Sequence, residues 1–162
     1  MSDERPYINE IREAASPLVQ RFALQEVSIR GDARRPTVRF ANGRKRVGVE
    51  FGVDWNDLRA LVTLFHLTPD REFIDLYGPD ELKKRTATFN ADYLIQLRAG
   101  ELPRGMGKVR RKAPGEARRC LTEYTEALIA HGSDVMSGNF AVFEDLERMR
   151  ARIIEELRGS SQ

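Results

Sequence analysis

Regular alternation of apolar and polar residues between Pro36 and Leu67 predicts the central part of the fold. Val38 and Phe40 fall on one face of an extended segment and Arg39 on the other, as the two-residue period of a β-strand requires. The next segment has apolar residues at every second position: Val47, Val49, Phe51 and Val53. We therefore expect two neighbouring strands that share one apolar face.

Short polar segments on either side of the second strand predict turns. Asn42-Gly43 favours a tight hairpin turn, because both residues tolerate positive φ angles. Asp54 to Asp57 suits either a second turn or the cap of a helix. The following residues are open to the same two interpretations, a central strand with apolar residues on both faces or an amphipathic helix. We favour the strand for residues 54–67.

A helix is predicted before the sheet, over residues 6–22, where apolar residues recur with roughly helical period. Pro17 interrupts this pattern. It predicts either a kink or a new helix that begins with Ser16 as its N-cap. A loosely alternating first strand, Leu24 to Ile29, follows the helix.

After the central sheet the chain carries two short apolar segments. The first is Phe73 to Tyr77, and it is followed by at most a turn of helix over residues 80–85. The second, residues 91–98, predicts a short helix. Its inward side chains are expected to be Tyr93, Leu94 and Leu97.

Two amphipathic helices are predicted at the C-terminal end. The first covers residues 114–131 and ends at Gly132. Its apolar face consists of Ala117, Cys120, Leu121, Tyr124 and Leu128. The second begins after Asn139, which can cap it. Its buried stripe is expected to consist of Phe143, Leu146, Ile153, Ile154 and Leu157.

These elements predict an α+β fold. We expect an antiparallel β-meander of three or four strands, packed on one face by the N- and C-terminal helices. A length of 162 residues suits a single domain with a sizeable core. The only cysteine, Cys120, lies on an apolar helix face and is expected to be a small core residue. The chain shows neither a secretory signal pattern nor a membrane-spanning apolar run, so we expect a cytoplasmic protein.

Basic residues are concentrated in two segments, although the net charge is only +2. Residues 30–46 contain seven basic residues and one acidic residue, and residues 104–119 contain the same numbers. The second segment overlaps Gly100 to Gly115, which is rich in glycine and proline. We expect that stretch to be a mobile basic loop, disordered in the free protein.

Arginine side chains on the second face of the sheet are the strongest functional signal. Guanidinium groups bind carboxylates with paired hydrogen bonds, so an acidic surface of a partner protein would explain them. The same side chains would bind the phosphates of nucleic acid, although no aromatic residues alternate with them. The predicted partner-binding residues are Arg30, Arg39, Arg44, Lys45, Arg46, Arg110, Arg111 and Lys112.

The sequence offers little support for catalysis. The two histidines, His66 and His131, have no partners at metal-ligand spacing, and neither a phosphate-binding loop nor a nucleophile elbow is present. Glu50, Asp54 and Asp57 are the one set of carboxylates that could bind a hard cation. We regard a strand position for Glu50 and turn roles for the aspartates as the simpler explanation.

The overall pattern resembles small, mostly uncharacterised bacterial proteins, some of which are immunity proteins for toxins. The resemblance rests on Val38-Arg39-Phe40, Val47 to Phe51, the aspartate-rich turn and a helix followed by Ser137-Gly138-Asn139-Phe140. It implies binding rather than catalysis.

We therefore expect a non-enzymatic interaction protein of immunity-like or regulatory type, with no cofactor and no metal. A nucleic-acid-binding protein is the alternative, and a metal-dependent enzyme is the third interpretation.

Overall fold

The computed structural model describes residues 5–74 and 87–160. In the first part the elements are α1 (Arg5–Arg21), β1 (Gln25–Arg30), β2 (Thr37–Asn42), β3 (Val47–Asp54) and β4 (Arg59–His66). In the second part they are β5 (Thr88–Asn90), α2 (Ala91–Ala99), α3 (Glu116–His131), α4 (Ser133–Met136) and α5 (Phe143–Ser160). The turn of helix expected over residues 80–85 lies outside the described residues.

The strands of the described part form one antiparallel sheet in the order β1-β2-β3-β4-β5. The fold class is thus confirmed as α+β, with five strands instead of the three or four expected. Residues 59–66 are a strand, so the helical alternative for this segment is wrong. The additional strand, β5, has only three residues, which is too short to show a period in the sequence.

Helices α1 and α3 cover one face of the sheet and contact each other. The Thr125 hydroxyl donates a hydrogen bond of 2.8 Å to the carbonyl of Ala14, which joins the two helices at a buried position. The sheet residues of this core are Val38, Phe40, Val47, Val49, Phe51, Val53, Ala60, Val62, Leu64 and Phe89. Each large apolar side chain buried here stabilises the fold by roughly 1.5 to 3 kcal/mol.

The second face of the sheet is partly covered by the segment that follows β4. The ring of Phe73 lies against Phe65, with centroids 4.8 Å apart. A Cβ at Gly48 would lie 2.6 Å from the Phe73 ring, so only glycine permits this close approach. The cover extends over Arg39, which is therefore not on an open face.

The helices differ from the predicted pattern in three places. Helix α1 runs through Pro17, which lies on its exposed side, so the new helix start predicted at Ser16 is wrong. The buried residues of α2 are Ala91, Leu94 and Ile95, and Tyr93 is partly buried against the core, so of the three predicted inward positions only Leu97 is wrong. In α5 the buried stripe ends at Leu146, before the C-terminal half of the helix.

Only the N-terminal half of α5 is anchored in the core. Phe143 and Leu146 are buried, whereas Ile154 and Leu157 are 43% and 65% exposed. Asn139 accepts a hydrogen bond from the backbone N–H of Ala141 and so stabilises the preceding turn instead of capping the helix. The predicted stripe of five buried side chains is wrong for the C-terminal half.

The two hairpin turns are built around side-chain caps. Asn42 Oδ1 accepts the backbone N–H groups of Arg44 and Lys45, and the positive φ angle falls on Arg46 rather than at Asn42-Gly43. Asp54 Oδ1 accepts the N–H groups of Asn56 and Asp57 in the next turn, which confirms the turn predicted there.

Candidate partner-binding surface

The first basic segment of the sequence is divided between opposite ends of the sheet. Arg30 pairs with Thr37 at one end of β2, whereas the turn at residues 43–46, here called the hairpin tip, lies at the other. Because β3 is antiparallel to β2, the β3–β4 turn lies at the same end as Arg30. Arg44 and Lys45 are exposed at the hairpin tip, far along the sheet from this end.

The second basic segment is hydrogen-bonded to the sheet at the end that carries Arg30. The N–H of Ala60 donates to the carbonyl of Gly107 at 2.7 Å, and the N–H of Val109 donates to the carbonyl of Leu58 at 2.9 Å. We define the basic end as residues 30–35, 55–58 and 108–112. It contains seven basic and two acidic residues.

Helix α3 holds the other side of this loop. The Cys120 thiol donates to the carbonyl of Lys108 at 3.1 Å, and a Cβ at Gly107 would lie 2.6 Å from the Tyr124 hydroxyl. Cys120 is 1% exposed, which confirms it as a small core residue, and this burial raises the pKa of its thiol. Mobility of residues 100–115 stays a prediction, but residues 107–109 have these defined hydrogen bonds and contacts.

An aromatic pair lies beneath the basic end. Tyr7 of α1 and Trp55 of the β3–β4 turn have ring centroids 4.9 Å apart. The Lys112 ammonium lies 5.5 Å from the centroid of Tyr7, and the backbone N–H of Trp55 donates to the carbonyl of Arg34 at 2.9 Å. These contacts join α1, both basic segments and the turn.

Trp55 is 7% exposed, and its indole Nε1–H has no hydrogen-bond acceptor among the described residues. Sequence reasoning missed Tyr7, Arg34 and Trp55 as members of this surface. The available signal was a lone tryptophan in a polar turn.

The carboxylates close to the basic end are largely engaged in internal hydrogen bonds. Asp32 Oδ1 accepts the N–H groups of Arg34 and Arg35, and Asp54 lies 2.7 Å from the Arg35 guanidinium. Burial alone would raise the pKa of Asp54, but the N–H groups of the turn and the Arg35 guanidinium lower it. These acids order the backbone of the basic end and offset only part of its positive charge.

Arg39, a predicted partner-binding residue, is an interior residue. It is 8% exposed, and its Nε lies 2.7 Å from Glu50. Its guanidinium carbon lies 4.6 Å from the Phe73 centroid and 5.3 Å from that of Phe65. The expectation that Arg39 lies on an open face is wrong because the segment after β4 covers this part of the sheet.

The remaining predicted residues lie in different surroundings. Arg46 donates to the carbonyls of Leu67 and Thr68, which leaves its guanidinium partly buried. Arg30 is exposed at the edge of the sheet, and Arg110, Arg111 and Lys112 are exposed together in the loop. The structure thus places Arg30 and the three loop residues at the same end of the sheet, beside different strands, and residues 44–46 at the other end.

A surface cavity of about 410 Å³ lies beside the hairpin tip. His66 is one of its lining residues and stacks on Phe140 at 3.9 Å. Burial and the nearby charge of Arg46 lower the pKa of His66. His66 is partly buried at the end of β4, as predicted. The cavity walls carry both charge signs, at Arg46 and Asp70, and so indicate no single ligand class.

Residues 5–74 and 87–160 contain no metal-binding cluster, since no three His, Cys, Asp or Glu side chains lie close enough together to hold an ion. Glu50 pairs with Arg39, and Asp54 pairs with Arg35. Over the same residues, no helix combines the length and apolar content needed to span a membrane.

Comparison with known proteins gives no further guide to this surface. No protein-family model, curated protein or solved structure matches the chain significantly.

Proposed function

We propose that this protein is a non-enzymatic interaction module of the bacterial cytoplasm, of immunity-like or regulatory type, which binds an acidic surface of a partner protein. The binding surface is the basic end. The observation that carries the proposal is the union of two basic segments, 30–35 and 108–112, on one hydrogen-bonded frame. A frame that is ordered before binding reduces the entropy cost of association.

An exposed apolar residue within the basic end favours a protein partner. Leu58 is 37% exposed in the β3–β4 turn. Arginine next to exposed apolar side chains is typical of protein–protein interfaces. An interface for single-stranded nucleic acid would instead expose aromatic rings for base stacking, but Trp55 is buried and the Tyr7 ring lies beneath Lys112.

The proposal is tested by affinity purification from the cytoplasm of cells that naturally produce the protein, at moderate salt, with and without nuclease. The variant is Arg110→Glu with Arg111→Glu. Its matched control is Arg44→Glu with Lys45→Glu, which reverses the same number of charges at the hairpin tip. We expect the first variant to weaken binding of a stoichiometric partner roughly tenfold or more and the control to retain it.

Two outcomes contradict the proposal. Equal retention of the partner by both variants would place the interface elsewhere. Loss of the partner after nuclease treatment, together with a uniform loss of binding as salt rises, would indicate nucleic acid instead. Equal melting temperatures of the variants, measured by circular dichroism, would show that the differences arise from the surface and not from the fold.

A further inference from the structure

We propose that Tyr7, Trp55 and Lys112 form the recognition centre of the basic end and receive a carboxylate side chain of the partner. This inference rests on the proposed function and names the chemistry of its central contact. The occupant is an acidic segment of a protein, with consecutive Asp or Glu side chains. Arg34, Arg110 and Arg111 are exposed residues of the same basic end and would bind the flanking carboxylates.

A carboxylate can replace the contact that holds the Lys112 ammonium at the Tyr7 ring. It lies over the Tyr7 ring at 5.5 Å and makes no ion pair with a described residue. A cation above an aromatic ring at an exposed site is only weakly bound. A charge-assisted hydrogen bond to a carboxylate is stronger, so an acidic side chain would draw the ammonium away from the ring.

The indole of Trp55 supplies a second donor. Its Nε1–H is buried without an acceptor among the described residues, and a buried donor without an acceptor is costly. Tyr7 contacts both groups: its ring centroid lies 4.9 Å from that of Trp55 and 5.5 Å from the Lys112 ammonium. A carboxylate oxygen that follows the ammonium inward would then accept the indole N–H.

The number and type of donors favour a carboxylate over a phosphate. One ammonium and one indole N–H match the two oxygens of a carboxyl group. Both donors belong to side chains among aromatic rings, whereas phosphate sites are typically built from several backbone N–H groups at a helix N-terminus or a nest.

The test uses Trp55 as its own reporter, since it is the only tryptophan of the chain. The full-length protein is titrated with a poly-glutamate peptide, a phosphoserine peptide and a poly-glutamine peptide. Tryptophan emission and the single indole N–H resonance of the ¹⁵N-labelled protein are followed. We expect poly-glutamate to produce a saturable change in emission and a downfield shift of the indole proton.

Lys112→Gln removes the ammonium and keeps a side chain of similar length. We expect it to weaken poly-glutamate binding about tenfold. Lys45→Gln, the same change at the hairpin tip, should leave the affinity unaltered.

Failure of this inference is distinguishable from failure of the proposed function. Calorimetry could detect poly-glutamate binding while neither the emission nor the indole resonance changes. In that case the proposed recognition centre is wrong, but the basic end still binds an acidic peptide. Tighter binding of the phosphoserine peptide would overturn the carboxylate assignment. If no peptide binds, this inference fails. The proposed function then fails as well only if Arg110→Glu with Arg111→Glu also retains the natural partner.

Discussion

Ala23 is one of four non-glycine residues in the described part with a positive φ angle; its φ is 52°. It follows α1, and the N–H of Leu24 donates to the carbonyl of Val19 at 3.0 Å. This is the helix-ending motif that usually places glycine at the left-handed position. A Cβ there is strained, because it approaches the following carbonyl oxygen.

Ala23→Gly should therefore stabilise the protein by roughly 0.5 to 1 kcal/mol, since it removes the left-handed strain at a modest cost in unfolded-state entropy. The matched control is Ala127→Gly in the interior of α3, which should destabilise by about 1 kcal/mol. Urea unfolding of both variants measures the two free energies. A loss of stability in Ala23→Gly would contradict the assigned backbone strain.

At the scale of elements, the loop that carries residues 108–112 is positioned from two sides. Backbone hydrogen bonds to β4 fix one side, and contact of Gly107 with Tyr124 of α3 fixes the other. The Tyr124 hydroxyl itself donates to Asp92 at 2.6 Å, so its place is defined by α2. The position of the basic end thus depends partly on α2 and α3, which lie outside the loop.

Gly107→Ala should displace this loop, because the new Cβ would lie 2.6 Å from the Tyr124 hydroxyl. Gly105→Ala is the matched control: its φ is also +80°, and nothing lies within 4 Å of its Cβ. Both changes carry a left-handed strain of roughly 1 to 2 kcal/mol, and overpacking adds about 1 to 3 kcal/mol at Gly107 alone.

Hydrogen exchange measures the loop directly. The amides of Ala60 and Val109, which form the bonds between the loop and residues 58–60, should exchange faster in Gly107→Ala than in Gly105→Ala. Equal exchange in the two variants would show that the loop does not depend on the glycine–tyrosine contact.

For the whole molecule, buried and paired carboxylates make opposite contributions to stability as the pH changes. Burial raises the pKa of Asp92, despite its hydrogen bond from Tyr124 and the charge of Arg59. The guanidinium of Arg98 lowers the pKa of Asp134, to which it donates two hydrogen bonds of 2.5 and 2.7 Å. The folded state therefore binds a proton more tightly at Asp92 and less tightly at Asp134 than the unfolded state does.

Asp92→Asn and Asp134→Asn should consequently have different pH profiles. The free energy of unfolding of Asp92→Asn, relative to that of the wild type, should be highest at neutral pH. This advantage fades as the pH falls through the raised pKa, before the ordinary value of 3.8 is reached. Asp134→Asn should cost roughly 1 kcal/mol at neutral pH. That loss should shrink only below 3.8, as the pH falls through the lowered pKa.

Urea unfolding from about pH 7 to about pH 2.5 follows both differences. Parallel profiles for the two variants would contradict the opposite shifts of Asp92 and Asp134.

The sequence by itself determined the elements whose periodicity is local. Alternation at Val38 and Phe40 and at Val47 to Val53 predicted β2 and β3, because successive side chains of a strand point to opposite faces whatever lies beyond them. Apolar residues on both faces favoured a strand at Val62 to Phe65 for the same reason. The apolar face of α3 is buried as its helical period predicted.

Only the tertiary structure decided how far each face is covered. Arg39 was predicted on the second face of β2, but Phe73 covers it there. Ile154 and Leu157 continue a helical stripe, yet the core reaches only the first half of α5. A period specifies which side chains share a face, and the distance to a covering element is set by parts of the chain remote in sequence.

The location of the candidate surface was likewise decided only by the tertiary structure. Residues 30–35 and 108–112 are both evidently basic in the sequence, but their union depends on hydrogen bonds of Leu58 and Ala60 to the loop. Those bonds join backbone groups about 50 residues apart, which carry no side-chain signal. Composition therefore indicated the charge of the site, and long-range backbone pairing decided its location.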